Sequence, residues 1–121
     1  SGPTVSHVLI VEDEPLILMS TVDMVEELGH TVHEANSAEH ALGVLETNRI
    51  DTLLTDVGLP GMSGIELARQ VRERWPDVRI VFASGDDSAK TASGIADAHQ
   101  LSKPFTIEGL RKVLGESDAT V

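Results

Sequence analysis

The sequence predicts an α/β fold, a doubly wound parallel sheet of five strands with helices on both faces. Three observations carry this expectation. Short apolar runs bounded by turn residues recur along the chain, among them Val8-Leu9-Ile10-Val11, Thr52-Leu53-Leu54-Thr55 and Ile80-Val81-Phe82-Ala83. Helix-period segments lie between them, so strand and helix alternate five times, the order that a parallel sheet requires. The first and third runs are nearly all apolar, as strands buried on both faces are.

The first strand, Val8 to Val11, ends in Glu12-Asp13-Glu14. Pro15 then opens a helix expected to run to Leu28 and stop at Gly29, with Met19, Met24 and Val25 on its core face. Thr31-Val32 reads as the second strand, followed by a helix from Ser37 to Glu46 in which Asn36 and Glu39 have the capping-box spacing. After the third strand, Thr52 to Thr55, a glycine-rich loop leads to a helix from Ile65 to Arg74, capped by Ser63 with Glu66 and ended before Pro76. Trp75 at that end is read as a packing residue. The fourth strand, Ile80 to Ala83, precedes an Ala- and Ser-rich helix from Ser88 to Ala98. A weaker strand near Leu101 and a helix from Ile107 to Leu114, capped by Thr106, complete the order.

Length and composition set the frame. With 121 residues, 40% of them hydrophobic, the chain suits one domain with one core, residues 7–115, flanked by polar tails at 1–6 and 116–121. It does not begin with Met, so neighbouring domains are left open. No apolar run approaches the ~18 residues that cross a bilayer, and no leader pattern is present. Cysteine is absent, which removes disulfides and thiolate chemistry. The expectation is a soluble, cytoplasmic domain without a membrane partner. Twenty acidic against nine basic residues give a net charge of −11, which opposes direct nucleic-acid binding. The five histidines His7, His30, His33, His40 and His99 show no metal-ligand spacing along the chain.

Ligands of open parallel sheets bind beyond the carboxyl ends of the strands. Glu12 and Asp13 end the first strand, Asp56 the third and Ser84 the fourth, and Lys103 follows the fifth. Taken singly, an Asp closing a strand is an ordinary turn residue, Ser-Gly an ordinary loop and Lys an ordinary surface charge. Together at four strand ends they form a site. Crowded carboxylates repel unless a divalent cation neutralises them, and Mg²⁺ with its preference for oxygen is the natural one. Asp13, Asp56 and the carbonyl of Gly58 can supply the protein's share of its shell. Lys103 brings a fixed positive charge and Ser84 a hydroxyl donor, the groups that stabilise a phosphoryl moving onto a carboxylate.

These residues resemble the receiver domain of two-component response regulators and hybrid histidine kinases, from His7 to Leu114. Val8-Leu9-Ile10-Val11-Glu12-Asp13-Glu14 looks like the family's first strand and acidic pair. Asp56 and the loop Val57-Gly58-Leu59-Pro60-Gly61-Met62-Ser63-Gly64 look like its phospho-acceptor segment. Ser84 matches the switch Ser/Thr position, and Lys103-Pro104-Phe105 the Lys-Pro pair. The resemblance implies strand order 2-1-3-4-5, a cis Lys103-Pro104 bond, Asp56 as acceptor, Asp13 and Gly58 as direct metal ligands, and Glu12 acting through water. It also implies a histidine kinase or histidine phosphotransfer protein as donor, and a downstream effector that reads the face around the fourth and fifth strands. Such a domain is not an enzyme in its own right.

Gln100 departs from the pattern, because many receivers carry Tyr or Phe three residues before the Lys. The expectation is that Gln100 is a bystander and that the signal runs through Ser84 and the loop Gly85-Asp86-Asp87. The helix beyond, with Ala89, Ala92, Gly94 and Ala96, is expected to be loosely held. Two other readings compete. A haloacid-dehalogenase-like phosphatase would use a second Asp two residues after the nucleophile, where this chain has Gly58. A flavodoxin-like cofactor binder would need a phosphate-cradling loop where Glu12-Asp13-Glu14 would repel the phosphate.

Overall fold

The computed structural model describes residues 6–85 and 88–114. Its elements are β1 (His7–Val11), α1 (Pro15–Glu27), β2 (Thr31–Ala35), α2 (Ala38–Thr47), β3 (Thr52–Asp56), α3 (Gly64–Arg74), β4 (Arg79–Ser84), α4 (Ala89–Ser93), β5 (His99–Ser102) and α5 (Ile107–Leu114). All four strand pairings are parallel, in the order β2-β1-β3-β4-β5. The chain therefore steps outward from β1 to β2 and returns across β1 to β3. The reversal leaves a crevice at the carboxyl ends of β1 and β3.

Alternation along each strand feeds two layers. Leu9, Val11 and Leu53 pack on one face with Leu45 of α2 and Leu67 and Val71 of α3. Val8, Ile10, Leu54 and Val81 pack on the other with Val25 of α1 and Leu110 of α5. A smaller group under α3 and α4 joins Ile80 and Phe82 to Ala68, Ala89 and Ile95. Each fully buried side chain of this size contributes about 1.5–3 kcal/mol, so the three central strands form the rigid platform on which the site stands.

Several local expectations change. The N-cap of α2 is Ser37, whose side chain accepts from His40 N, one residue later than Asn36. Ser63 caps α3 as expected, accepting from Glu66 N, and Thr106 accepts from Gly109 N at 3.2 Å. The expected helix from Ser88 to Ala98 is cut to five residues, because Gly94 takes the left-handed conformation at φ 75° and ends it. Met19 is 62% exposed rather than core. The buried stripe of α1 runs through Thr21 and Val25, with Leu18 and Val22 beside it, and Met19 lies off that stripe. Trp75 does pack, partly buried against the first cluster, with the Arg74 guanidinium 4.3 Å from its ring. Among the described residues no helix is long and apolar enough to cross a membrane. The expected tails, apart from Ser6, and Asp86-Asp87 lie outside the described residues.

Candidate functional site

The register brings the sequence-predicted residues to one edge. Val11 pairs with Thr55, Asp56 with Ala83, and Ser84 with Ser102, so Glu12, Asp56, Ser84 and Lys103 all stand at or just past the carboxyl ends of adjacent strands. Glu12 continues the ladder beyond β1 by donating its N–H to the Ala35 carbonyl at 3.1 Å. Lys103 does the same beyond β5, donating its N–H to the Ser84 carbonyl at 2.8 Å. The Lys103-Pro104 bond is cis, as the resemblance implied.

Side chains then converge. The Lys103 ammonium donates to Asp56 Oδ1 at 2.8 Å and to Glu12 Oε1 at 3.0 Å. Glu12 is only 5% exposed; its Oε2 accepts the Glu14 N–H at 3.2 Å. Burial of Lys103 by itself would lower its pKa. The hydrogen bonds and charges of Asp56 and Glu12 outweigh that and raise it above the ordinary lysine value, so the ammonium stays charged. Asp13 stands at the exposed rim, and Glu12, Asp13 and Asp56 bring one carboxylate oxygen each within 4.8 Å of one another. Ser84 is buried at the end of β4, and Gly58 is exposed in the loop after β3 with no atom within 4 Å of where a Cβ would lie.

One residue that the sequence analysis names only as the end of the loop after Asp56 has a packing role here. Gly64, the first residue of α3, presses against the end of β3: a Cβ there would lie 2.0 Å from the Asp56 carbonyl oxygen. Its N–H donates to the Val57 carbonyl at 3.0 Å. This close approach fixes the backbone of Asp56 against α3, and only glycine permits it. A glycine opening a helix gives no such signal in a single sequence.

The histidines also behave differently in space. His7 Nδ1 and His33 Nε2 lie 3.1 Å apart across β1 and β2, with ring centres 5.4 Å apart. Among the described residues no carboxylate or third histidine joins them into a cluster of three, and the acidic group remains the one such cluster.

Residues 8–115 match the response regulator receiver domain. The chain belongs to that family. This receiver domain is 36% identical over 114 residues to the sensor kinase CckA of Brucella abortus, covering 90% of this chain and 12% of that protein. It is 33% identical over 108 residues to the transcriptional regulatory protein TcrA of Mycobacterium tuberculosis, covering 86% of this chain and 42% of that one. The receiver thus spans a minor part of each relative's length. Among solved structures it resembles a CheY-like receiver domain from Methylobacillus flagellatus, with TM-score 0.84 and 26% identity over 92% of this chain and 97% of that one. It also resembles TrrA from Thermotoga maritima, solved in complex with Mg²⁺-BeF, with TM-score 0.82 and 26% identity over 89% and 95% of the two chains. The chain is therefore a phospho-acceptor signalling domain of two-component systems, and nothing in its site or its relatives favours a haloacid-dehalogenase-like phosphatase.

The receiver site is built from the right donors for a hard cation. Its candidate donors are all oxygens, one from each carboxylate within 4.8 Å of the others, and Asp13 is open to solvent, which suits a cation that retains waters.

Proposed function

We propose that this receiver takes a phosphoryl group on Asp56 from a phosphohistidine of a histidine kinase or phosphotransfer protein, in the cytoplasm, with Mg²⁺ held by Asp13, Asp56 and the Gly58 carbonyl. The observation that carries this is the Lys103 ammonium shared between Asp56 and Glu12 beside a cluster of three carboxylates. A carboxylate oxygen of Asp56 attacks phosphorus, the P–N bond breaks, and its electron pair leaves on the imidazole nitrogen, which takes up a proton. Bound Mg²⁺ supplies neutralisation of the phosphoryl oxygens. Lys103 follows the new negative charge, the Ser84 hydroxyl donates to a phosphoryl oxygen, and Glu12 keeps Lys103 anchored. Hydrolysis of the resulting mixed anhydride returns the carboxylate, so the domain takes part in its own dephosphorylation without turning over other substrates. A downstream effector reads the phosphorylated state.

Access favours a protein donor. Leu16 is 80% exposed on α1 beside Met19, next to a groove that runs from Ile17, Ser20 and Met24 to Pro104 and Phe105, adjoining Lys103. An apolar surface bordering an acidic site suits a helix that carries phosphohistidine better than a free small anion.

Intact-mass measurement tests the acceptor. Incubation with acetyl phosphate and Mg²⁺ is expected to add one phosphoryl group that is lost at high pH, and Asp56→Asn to add none. Asp13→Asn is expected to abolish the Mg²⁺ dependence. Phosphorylation of Asp56→Asn at the native rate would sink the assignment.

A further inference from the structure

His7 and His33 are far apart in the chain and meet through the register of two strands. His7 pairs with Thr31 and His33 with Leu9, so their side chains stand on the same face of β1 and β2, two positions out of step. The imidazoles close that diagonal. The far nitrogen of His33, Nε2, comes within 3.1 Å of the near nitrogen of His7, Nδ1, with the ring centres 5.4 Å apart and the planes tilted by 30°. Both residues are only partly buried, which leaves the pair within reach of solvent.

Two neutral imidazole nitrogens at this distance repel one another through their lone pairs unless a positive particle stands between them. A proton is one such particle, shared as N–H···N from one ring to the other. A divalent cation is the other. Two nitrogens bound to one tetrahedral zinc ion, each at about 2.0–2.1 Å, must lie about 3.3 Å apart, so the pair already has nearly the required spacing. Burial, and after it the neighbouring His7, lowers the pKa of His33 below the ordinary value, which keeps that ring uncharged at neutral pH. The carboxylates nearby are engaged elsewhere. Asp51 Oδ2 accepts the His7 backbone N–H and Oδ1 pairs with Arg49. Glu34, next to His33 in β2, falls on the opposite face of the strand.

We propose that His7 and His33 form a two-histidine site for a borderline divalent cation of the zinc type. Water completes the coordination of such an ion. On binding, the ring that donates in the metal-free pair carries its proton on its other nitrogen instead, so that Nδ1 of His7 and Nε2 of His33 each present a lone pair. The site differs in kind from the acidic cluster. Imidazole favours zinc, copper and nickel, whereas carboxylate oxygens favour Mg²⁺. It also lies toward the other end of β1, with His7 about 16 Å from Glu12 at the rise of an extended strand. Its effect is mechanical: the ion clips the border strand β2 to β1 and stabilises the fold by mass action. The inference is independent of the role of Asp56.

Titration calorimetry with Zn²⁺ on this chain, in saturating Mg²⁺ to occupy the acidic cluster, is the test. One Zn²⁺ is expected to bind, the ring nitrogen resonances of His7 Nδ1 and His33 Nε2 to shift, and Tm to rise with Zn²⁺ concentration. His7→Gln and His33→Gln should each weaken binding about tenfold or more, since losing even a hydrogen-bond partner of a metal ligand costs that much. Asp13→Asn should leave it within about twofold, as a distant and independent position does. Zn²⁺ binding that survives both histidine substitutions, or that disappears with Asp13→Asn alone, would place the ion elsewhere and overturn the site. The ring shifts are read on the unsubstituted chain, so they decide the matter even where a variant fails to fold, and their absence at saturating Zn²⁺ would overturn it as well.

Discussion

α3 and α4 flank the same part of the sheet and are held by opposite means. α3 has eleven residues, buries Gly64, Leu67, Ala68 and Val71, carries a side-chain cap at Ser63 and has Arg72 and Arg74 in its last turn. α4 has five residues, buries two small ones, and depends on Gln100 and Arg69 from outside. Burial of apolar surface is graded and hard to undo, whereas a tie of one or two hydrogen bonds is worth about 1 kcal/mol and can be broken by a small displacement. Asp56 at the end of β3 is thus backed, through Gly64, by the helix anchored in the core, whereas α4 rests on ties that a small displacement can break.

Gly64→Ala strikes the rigid side and should have the largest effect. A methyl group placed against the Asp56 carbonyl has nowhere to go, since the opposing atom is backbone. Stability should fall by about 3 kcal/mol or more, read from the urea midpoint, and phosphorylation by acetyl phosphate should slow. A loss below about 1 kcal/mol would mean that α3 can slide and that the contrast is false. Arg69→Met acts on the mobile side. Losing the donors to Ala92 and Ser93 should accelerate exchange at the end of α4 about fivefold, with α3 amides unchanged. Equal acceleration in both helices would show that they open as one unit.

The smallest effect should come from a site remote from both helices. His33 has its pKa lowered below the ordinary 6.5, first by burial and then by the neighbouring His7. Glu34 adjoins His33 on β2, and Asp51 and Arg49 lie beside His7, with Asp51 Oδ2 accepting the His7 N–H and Oδ1 paired with Arg49. Because the folded value lies below the unfolded one, the contribution of His33 is complete above pH 6.5 and is lost as pH falls through the folded value. His33→Gln should therefore flatten the decline of Tm between about pH 7 and 5, leaving Asp56 phosphorylation and α4 exchange untouched. A steeper decline in the variant would reverse the sign of the argument.

Much of this was legible in the chain because it is written locally. A strand buried on both faces must be apolar, so Val8 to Val11 and Thr52 to Thr55 announced themselves, and the polar residues at their ends fell on one edge once the order was parallel. What the sequence hid depends on non-local geometry. The collision that makes Gly64 obligatory involves Asp56 across a turn, and the meeting of His7 with His33 depends on the register of β1 and β2. The cap of α2 fell on Ser37 instead of Asn36 because both residue types suit the role and only the backbone decides. The early end of α4 came from Gly94 outweighing a run of good helix formers. The hydrogen bond from the Lys90 N–H to Gln100 Oε1 was hidden for the same reason as the histidine pair, since its two ends lie on different elements.

The strand order has a further consequence at the borders of the sheet. Its most apolar strands, β1, β3 and β4, are flanked on both sides, and the borders fall to β2 and β5, of five and four residues. Thr31 and Glu34 of β2 and Ser102 of β5 face solvent. An unpaired strand border is the place where a foreign strand would add itself, and shortness, a carboxylate and hydroxyls all discourage that addition. With a net charge of −11 spread over 121 residues, copies of the domain also repel one another at a distance. The same arrangement that gathers a dense acidic site at one edge thus keeps the sheet from growing sideways into its neighbours.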